Sequence, residues 1–294
     1  MSFKHYATAA AFRRALEDRL KAIARNETVD LQRLRRQVVF DRFLARIFQP
    51  SPTHLLPVAL KGGYAMELRI KAARATKDVD LSLRSSFFSI ELDQGGKDKV
   101  VLARLRERAA LDSRDFFEFE VGESILNLDA APYGGARFPI EARIDDRVFA
   151  KFHVDVGIGD AVIEPLEAIE GRDWLKFAGI PRPSVYMISQ EQQFAEKLHA
   201  YTLPRAVATN TRVRNLVDMV LLIQLGTMVN ERIGGGIRIT FERRNTHSVP
   251  AILEAPPMEW QKPYQKLAEE CGLSTSVDEG FSILNQYLST GGII

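Results

Sequence analysis

Apolar side chains recur every three to four residues over 7–27, where Ala11, Ala15, Leu16, Leu20 and Ile23 share one side and Thr8 stands ahead as an N-cap. A second amphipathic helix is predicted over 30–48. Asp30 is its cap, and Leu31, Leu34, Val38, Phe43, Leu44 and Ile47 form its buried side. Gln49-Pro50-Ser51-Pro52 breaks it. Leu55–Leu60 reads as the first core strand. Helical spacing follows at Ala65, Leu68 and Ala72, and strand alternation at Asp78-Val79-Asp80-Leu81. The polar stretch Ser85–Gly96 predicts a loop, and 97–111 a helix with Val100, Val101, Leu105 and Ala109 inward and Lys97, Lys99, Arg104, Arg106 and Arg108 outward. Phe116–Val121 alternates as a half-buried strand does, and Arg137–Ile144 and Val148–Val156 predict two strands joined at Asp145-Asp146.

The Pro- and Gly-bearing stretch 160–183 reads as a connector. Beyond it the pattern is helical. Helices are predicted over Gln190–Tyr201 and Arg212–Leu225, with a polar loop over Leu203–Thr211. Gly234-Gly235-Gly236 reads as a flexible joint, followed by a short extended or helical piece, Ile237–Phe241. A last helical pair lies around Trp260–Glu270 and Val277–Leu288. The expected fold class is α+β, with one domain over 1–180 and a helical domain over 181–294.

One stretch carries chemistry. In Leu60–Leu83 a strand end leads through Lys61, Gly62 and Gly63 into a helix and then into the D-x-D strand. Strand alternation puts Asp78 and Asp80 on one face, where a fold tolerates two like charges when a cation sits between them. The Gly pair allows close backbone approach, and the helix N-terminus behind it suits phosphate. His153 and Asp155 lie on the polar face of Val148–Val156, which puts a third carboxylate on an expected neighbour of the D-x-D strand.

Composition changes this picture little. The chain has 294 residues, 46% hydrophobic and 27% charged, with a net charge of +2, so a polyanionic partner must be met by a local patch. The single Cys271 excludes an internal disulfide framework and a cysteine metal cluster, and fits a reducing, cytoplasmic setting. The N-terminus lacks the apolar core of a signal peptide, and no apolar run reaches membrane-spanning length. Arg33, Arg35, Arg36, Arg42 and Arg46 share the polar face of the second helix. That face reads either as solvated or as the wall of an RNA-binding surface, and Arg243, Arg244 and His247 form a second basic cluster with the same two readings.

LKGGYAMELR, RATKDVDL, HVDVG, EKLHA, RNLVDMVLL and FERRNTHSVP occur in that order, with a Trp after the Pro pair. In this set the sequence resembles the AbiEii/AbiGii toxin family of bacterial nucleotidyltransferases, which includes the mycobacterial MenT group. The resemblance implies a DNA polymerase β-like mixed sheet with flanking helices, plus a C-terminal helical domain. It implies a toxin that transfers nucleotides from an NTP to an RNA acceptor, the tRNA 3′ end, and that has a cognate protein antitoxin. Asp78, Asp80 and Asp155 become ligands for Mg2+ (or Mn2+), with Asp80, Asp155, Lys197 and Asp218 catalytic and Asp155 accepting the hydroxyl proton. Lys61, Gly62 and Gly63 would meet phosphate, and Lys197 the triphosphate. Asp218 either pairs with Lys197 or touches base or ribose. Arg35, Arg36, Arg42, Arg243 and Arg244 would contact RNA. Two departures stand out: Tyr64 follows Gly63 where the wider superfamily has Ser or Thr, and Asn215 follows Arg214 where the family has Asp. Two rival readings remain. One is a carboxylate nuclease, for which Glu141-Ala142-Arg143 lacks the expected lysine; the other is a non-catalytic NTP-binding component of an immunity complex.

Overall fold

The computed structural model describes residues 6–50, 56–88, 93–128, 131–204 and 212–292. The expected loop over 203–211 and the Pro-rich break after Gln49 lie largely outside the described residues, as does Leu55 at the start of the first expected strand. In chain order the helices are α1 (Ala9–Glu27), α2 (Leu31–Ile47), α3 (Gly62–Arg69), α4 (Gln94–Ala109), α5 (Gln190–Thr202), α6 (Val213–Leu225), α7 (Asn230–Arg244), α8 (Gln261–Glu270) and α9 (Val277–Thr290). The strands are β1 (Val58–Lys61), β2 (Asp78–Leu83), β3 (Glu118–Val121), β4 (Leu126–Asn127), β5 (Gly135–Ile144), β6 (Arg147–Ile158), β7 (Glu167–Glu170) and β8 (Ser184–Met187). The chain divides into two compact units. The first is 1–60, 76–159 and 167–187; the second is 61–75, 160–166 and 188–294.

The first unit is built on a mixed sheet in the order β3-β5-β6-β2-β1-β8-β7, with β4 beside β5. β2 runs parallel to β6 and β1 to β8, while β5–β6, β3–β5 and β7–β8 are antiparallel. β5 and β6 turn at Asp145 and Asp146, both at positive φ (59° and 56°), as a tight hairpin matching strand twist requires. Alternation sorts the two faces. Val79, Leu81, Phe138, Ile140, Phe152, Val154 and Val156 are buried on one, and α2 packs there, with Phe40 and Phe43 set 5.0 and 5.6 Å from the Phe152 ring. The opposite face carries the charged residues of β2, β5 and β6. α1 and α2 start where expected: Thr8 accepts from the Ala11 N–H (3.2 Å) and Asp30 from the Arg33 N–H (2.7 Å).

Several elements differ from the sequence pattern. β7 lies inside the stretch expected as a connector and pairs antiparallel with β8 just beyond it; four residues each, half exposed, give too little periodicity to see. Gly95 and Gly96 lie in the first turn of α4, where Asp93 caps the Gly96 N–H at 2.7 Å. The expected helix over 65–72 ends at Arg69, with Ile70 already extended. The Gly triplet is not a joint: α7 runs through it to a left-handed Asn245 C-cap. A Cβ on Gly236 would lie 3.4 Å from the Glu191 carbonyl oxygen, so the residue lets α7 approach the α5 backbone closely.

Arg42, Arg46 and Arg108, expected on solvated faces, are buried. Asp115 accepts from Arg42 Nε (2.7 Å) and from both Arg46 terminal nitrogens (2.9 and 2.8 Å), and Arg46 lies 4.8 Å over the Phe119 ring. Arg108 donates to the Arg46, Ile47 and Gln49 carbonyls, satisfying the C-terminal end of α2. Periodicity counts arginine as polar, but its stem is apolar and its head needs only a partner, here supplied some seventy residues away.

The second unit is a helical body around Phe194, Leu198, Leu216, Val217, Val220, Leu221, Tyr264 and Leu284, with Met66 of α3 in the same core. A capping box of Ser276 and Glu279 starts α9.

Candidate active site

β2 and β6 lie side by side in parallel, with Asp78 opposite His153 and Asp80 opposite Asp155. Paired residues of neighbouring strands share a face, so all four side chains belong to the charged face of the first unit. β5 adds Arg137, opposite Asp155. Its guanidinium grips Asp155 with both arms, Nε to Oδ1 and Nη2 to Oδ2 at 2.7 Å each, and reaches Asp78 at 3.4 Å. His153 Nδ1 stands 3.2 Å from the other Asp78 oxygen. The hydrogen bond to Asp155, together with the charges of Asp155, Asp78 and Asp80, holds the Arg137 pKa above the ordinary arginine value despite some burial. Sequence reading named Arg137 only as a strand start. The signal was present, a cation at the start of the charged face of β5, but only register says which acid it meets.

Donor chemistry tests the implied metal. Three carboxylates on two adjacent strands supply the hard oxygen ligands that Mg2+ or Mn2+ takes, and register puts Asp80 next to Asp155. The set fits such an ion. In the arrangement seen, no three His, Cys, Asp or Glu side chains among the described residues converge as a metal group. Both Asp155 oxygens face Arg137, and the guanidinium fills the cationic role between Asp155 and Asp78.

Alongside lies an open cleft of about 710 Å³, whose charged lining includes Arg36, Lys77, Asp78, Arg137, Lys151 and His153. The Arg36 Nε is buried without a hydrogen-bond partner among the described residues. Arg35 forms a two-pronged pair with Glu17, at 3.1 and 2.6 Å. Arg42 is held by Asp115 inside the fold and presents no surface to RNA.

In the second unit, Asp218 is fully buried between two cations. Arg74 donates twice (3.0 and 2.9 Å) and the Lys197 ammonium lies at 2.7 Å. Burial raises its pKa, but Lys197 and Arg74 outweigh that and hold it below the usual carboxylate range. Of the two readings of Asp218, the structure shows the ion pair with Lys197 and adds Arg74, which sequence reading passed over within RATKDVDL. Lys61 is bound to Asp160 and lies 3.8 Å from Glu196; Arg244 joins the same two acids at 3.0 and 3.7 Å. Both cations are largely buried by these contacts, while Arg243 is exposed. Gly62 has φ +67°, which an L side chain resists, and its carbonyl accepts from Gln193 Nε2 at 2.7 Å. Gly63 follows, buried in the first turn of α3. His199 hydrogen-bonds rather than ligates. Burial and the nearby Arg244 push its pKa down to about 3, so Nδ1 accepts from Arg244 (3.4 Å) and Nε2–H donates to Thr246 Oγ1 (2.8 Å).

This architecture is that of a nucleotidyltransferase. The chain is similar to MenT4, a nucleotidyltransferase toxin from Mycobacterium tuberculosis H37Rv, with a TM-score of 0.53 over 98% of this chain and 99% of that one at 16% identity. The family model described as "Nucleotidyl transferase AbiEii toxin, Type IV TA system" matches residues 42–278, and the chain belongs to that family. No curated protein matches it in sequence. Membership makes the protein a nucleotidyltransferase of toxin–antitoxin type, with an NTP as substrate and an antitoxin as partner. Among the described residues no helix is long and apolar enough to cross a membrane.

Proposed function

We propose that this enzyme transfers a nucleotide from an NTP to the 3′ end of an RNA, with tRNA as the acceptor, in the cytoplasm and with a divalent ion at Asp78, Asp80 and Asp155. The observation carrying the reading is the register that sets Asp80 against Asp155 on one face, with Asp78 beside them. A bound Mg2+ or Mn2+ would activate the acceptor hydroxyl and neutralise the triphosphate. The chain's own residues do the rest. Asp155 takes the hydroxyl proton. The first-turn N–H groups behind Gly62 and Gly63 receive phosphate at a helix N-terminus, and Lys197 offers a point charge once it loosens from Asp218. Lys61 serves by fixing the backbone ahead of Gly62 through Asp160. Arg36 on the cleft lining and the exposed Arg243 are placed to meet RNA; Arg35 reaches RNA only by leaving Glu17.

The test is incubation with tRNA and each labelled NTP in turn, with Asp80→Ala as control. Label on the RNA 3′ end with matching pyrophosphate release is expected, lost in the variant while its melting temperature holds. Pyrophosphate release without RNA labelling would overturn the acceptor assignment; full activity of the variant would overturn the site.

A further inference from the structure

We propose that Arg137 is a resident counter-cation of the carboxylate centre, one that must release Asp155 when a divalent ion loads. The inference rests on the metal reading of Asp78, Asp80 and Asp155 given above. Its geometric basis is that Asp155 has neighbours on both flanks, Arg137 on β5 and Asp80 on β2. Its two oxygens are both committed to the guanidinium fork, at 2.7 Å each. An ion shared with Asp80 would have to compete with that fork for the same oxygens. Arg137 also reaches Asp78, so one side chain engages two of the three acids and offsets a repulsion that would otherwise strain β2 and β6.

The pair is placed for exchange rather than for support. The Arg46–Asp115 pair inside the fold has side chains 2% and 0% exposed, closed off from solvent. The Arg137 side chain is 28% exposed and lines the open cleft beside Lys77 and Lys151. A released guanidinium therefore has open space to move into, in a cleft whose charged lining sets Arg36, Lys77 and Lys151 beside Glu120 and Glu141, the last paired with Lys151. A phosphate there would replace Asp155 as its bidentate partner, a geometry arginine favours. Arg137 thus holds the acids in order when no ion is bound and weakens ion binding by competing for Asp155.

The experiment is a Mn2+ titration of the full chain, with free ion read by electron paramagnetic resonance, together with melting in chelator and in Mn2+. Arg137→Gln is expected to bind Mn2+ about tenfold more tightly than the wild type, because a charge-assisted bidentate pair no longer competes. It should melt lower in chelator and gain more from Mn2+. Arg137→Lys keeps the charge and loses the fork, so its affinity should fall between the two; it also stands in if the glutamine variant does not fold. Asp80→Asn should abolish binding in either background. If Asp80→Asn abolishes binding but neither Arg137 variant binds more tightly than the wild type, Arg137 is a fixed support: the proposal is overturned and the metal reading stands. If neither wild type nor Arg137→Gln binds Mn2+, the metal reading falls and takes the proposal with it.

Discussion

Asp218→Asn separates a structural carboxylate from one that serves substrate. Asp218 is 1% exposed, with Arg74 and Lys197 at 12% and 13%. The substitution is nearly isosteric, so it leaves two cations against a neutral amide without opening a cavity. Removing one partner of a buried pair costs about 3–5 kcal/mol, mostly through the charge left unpaired. At roughly 3 °C per kcal/mol the melting point should fall by about 10–15 °C. The chain has two tryptophans, and Trp260 is buried in the core of the second unit. In a Trp174→Phe background its fluorescence reports urea unfolding of that unit. Lys197→Met added to Asp218→Asn removes one orphaned cation, so the double variant should lose less stability than the two single losses added together. A loss below about 1 kcal/mol, with nucleotide binding gone, would refute the reasoning and return Asp218 to the substrate.

Two further outcomes follow from the same geometry. Gly234→Ala should stabilise the second unit by about 0.5–1 kcal/mol in urea, since α7 runs through Gly234 and an added Cβ meets nothing within 4 Å; destabilisation would mean the triplet bends after all. Stability should fall with pH in two windows. His199, at about 3 in the fold against about 6.5 unfolded, loses its contribution as pH drops from the higher value toward the lower. Asp115, Asp160 and Asp218, held low by their cations against burial, lose theirs only below the unfolded carboxylate value of about 3.9. His199→Gln should flatten the first window in urea midpoints taken from pH 7 to 4.

The sequence by itself determined the local structure and the chemical class. Thr8, Asp30, the spacing of Leu16 and Leu20, and the alternation through Asp78-Val79-Asp80 act between near neighbours, so caps, helix faces and the charged side of β2 were legible. Alternation also showed that Asp78 shares a face with Asp80 and His153 with Asp155, but the parallel pairing of β2 with β6 that sets Asp80 beside Asp155 was decided by the fold. Tertiary structure decided which charges are spent inside the fold. Arg42, Arg46, Arg108, Arg244 and Lys61 look like surface cations in any local window, yet each is held by a group distant in sequence. Gly236 looks like a break until α5 lies against it. Arg137 took its meaning from the pairing of β5 with β6, since a one-residue slip of register would turn it from Asp155 to the opposite face of the sheet. Periodicity records which way a side chain points; whether a charge meets water, a substrate or an opposite charge depends on what the fold sets in front of it.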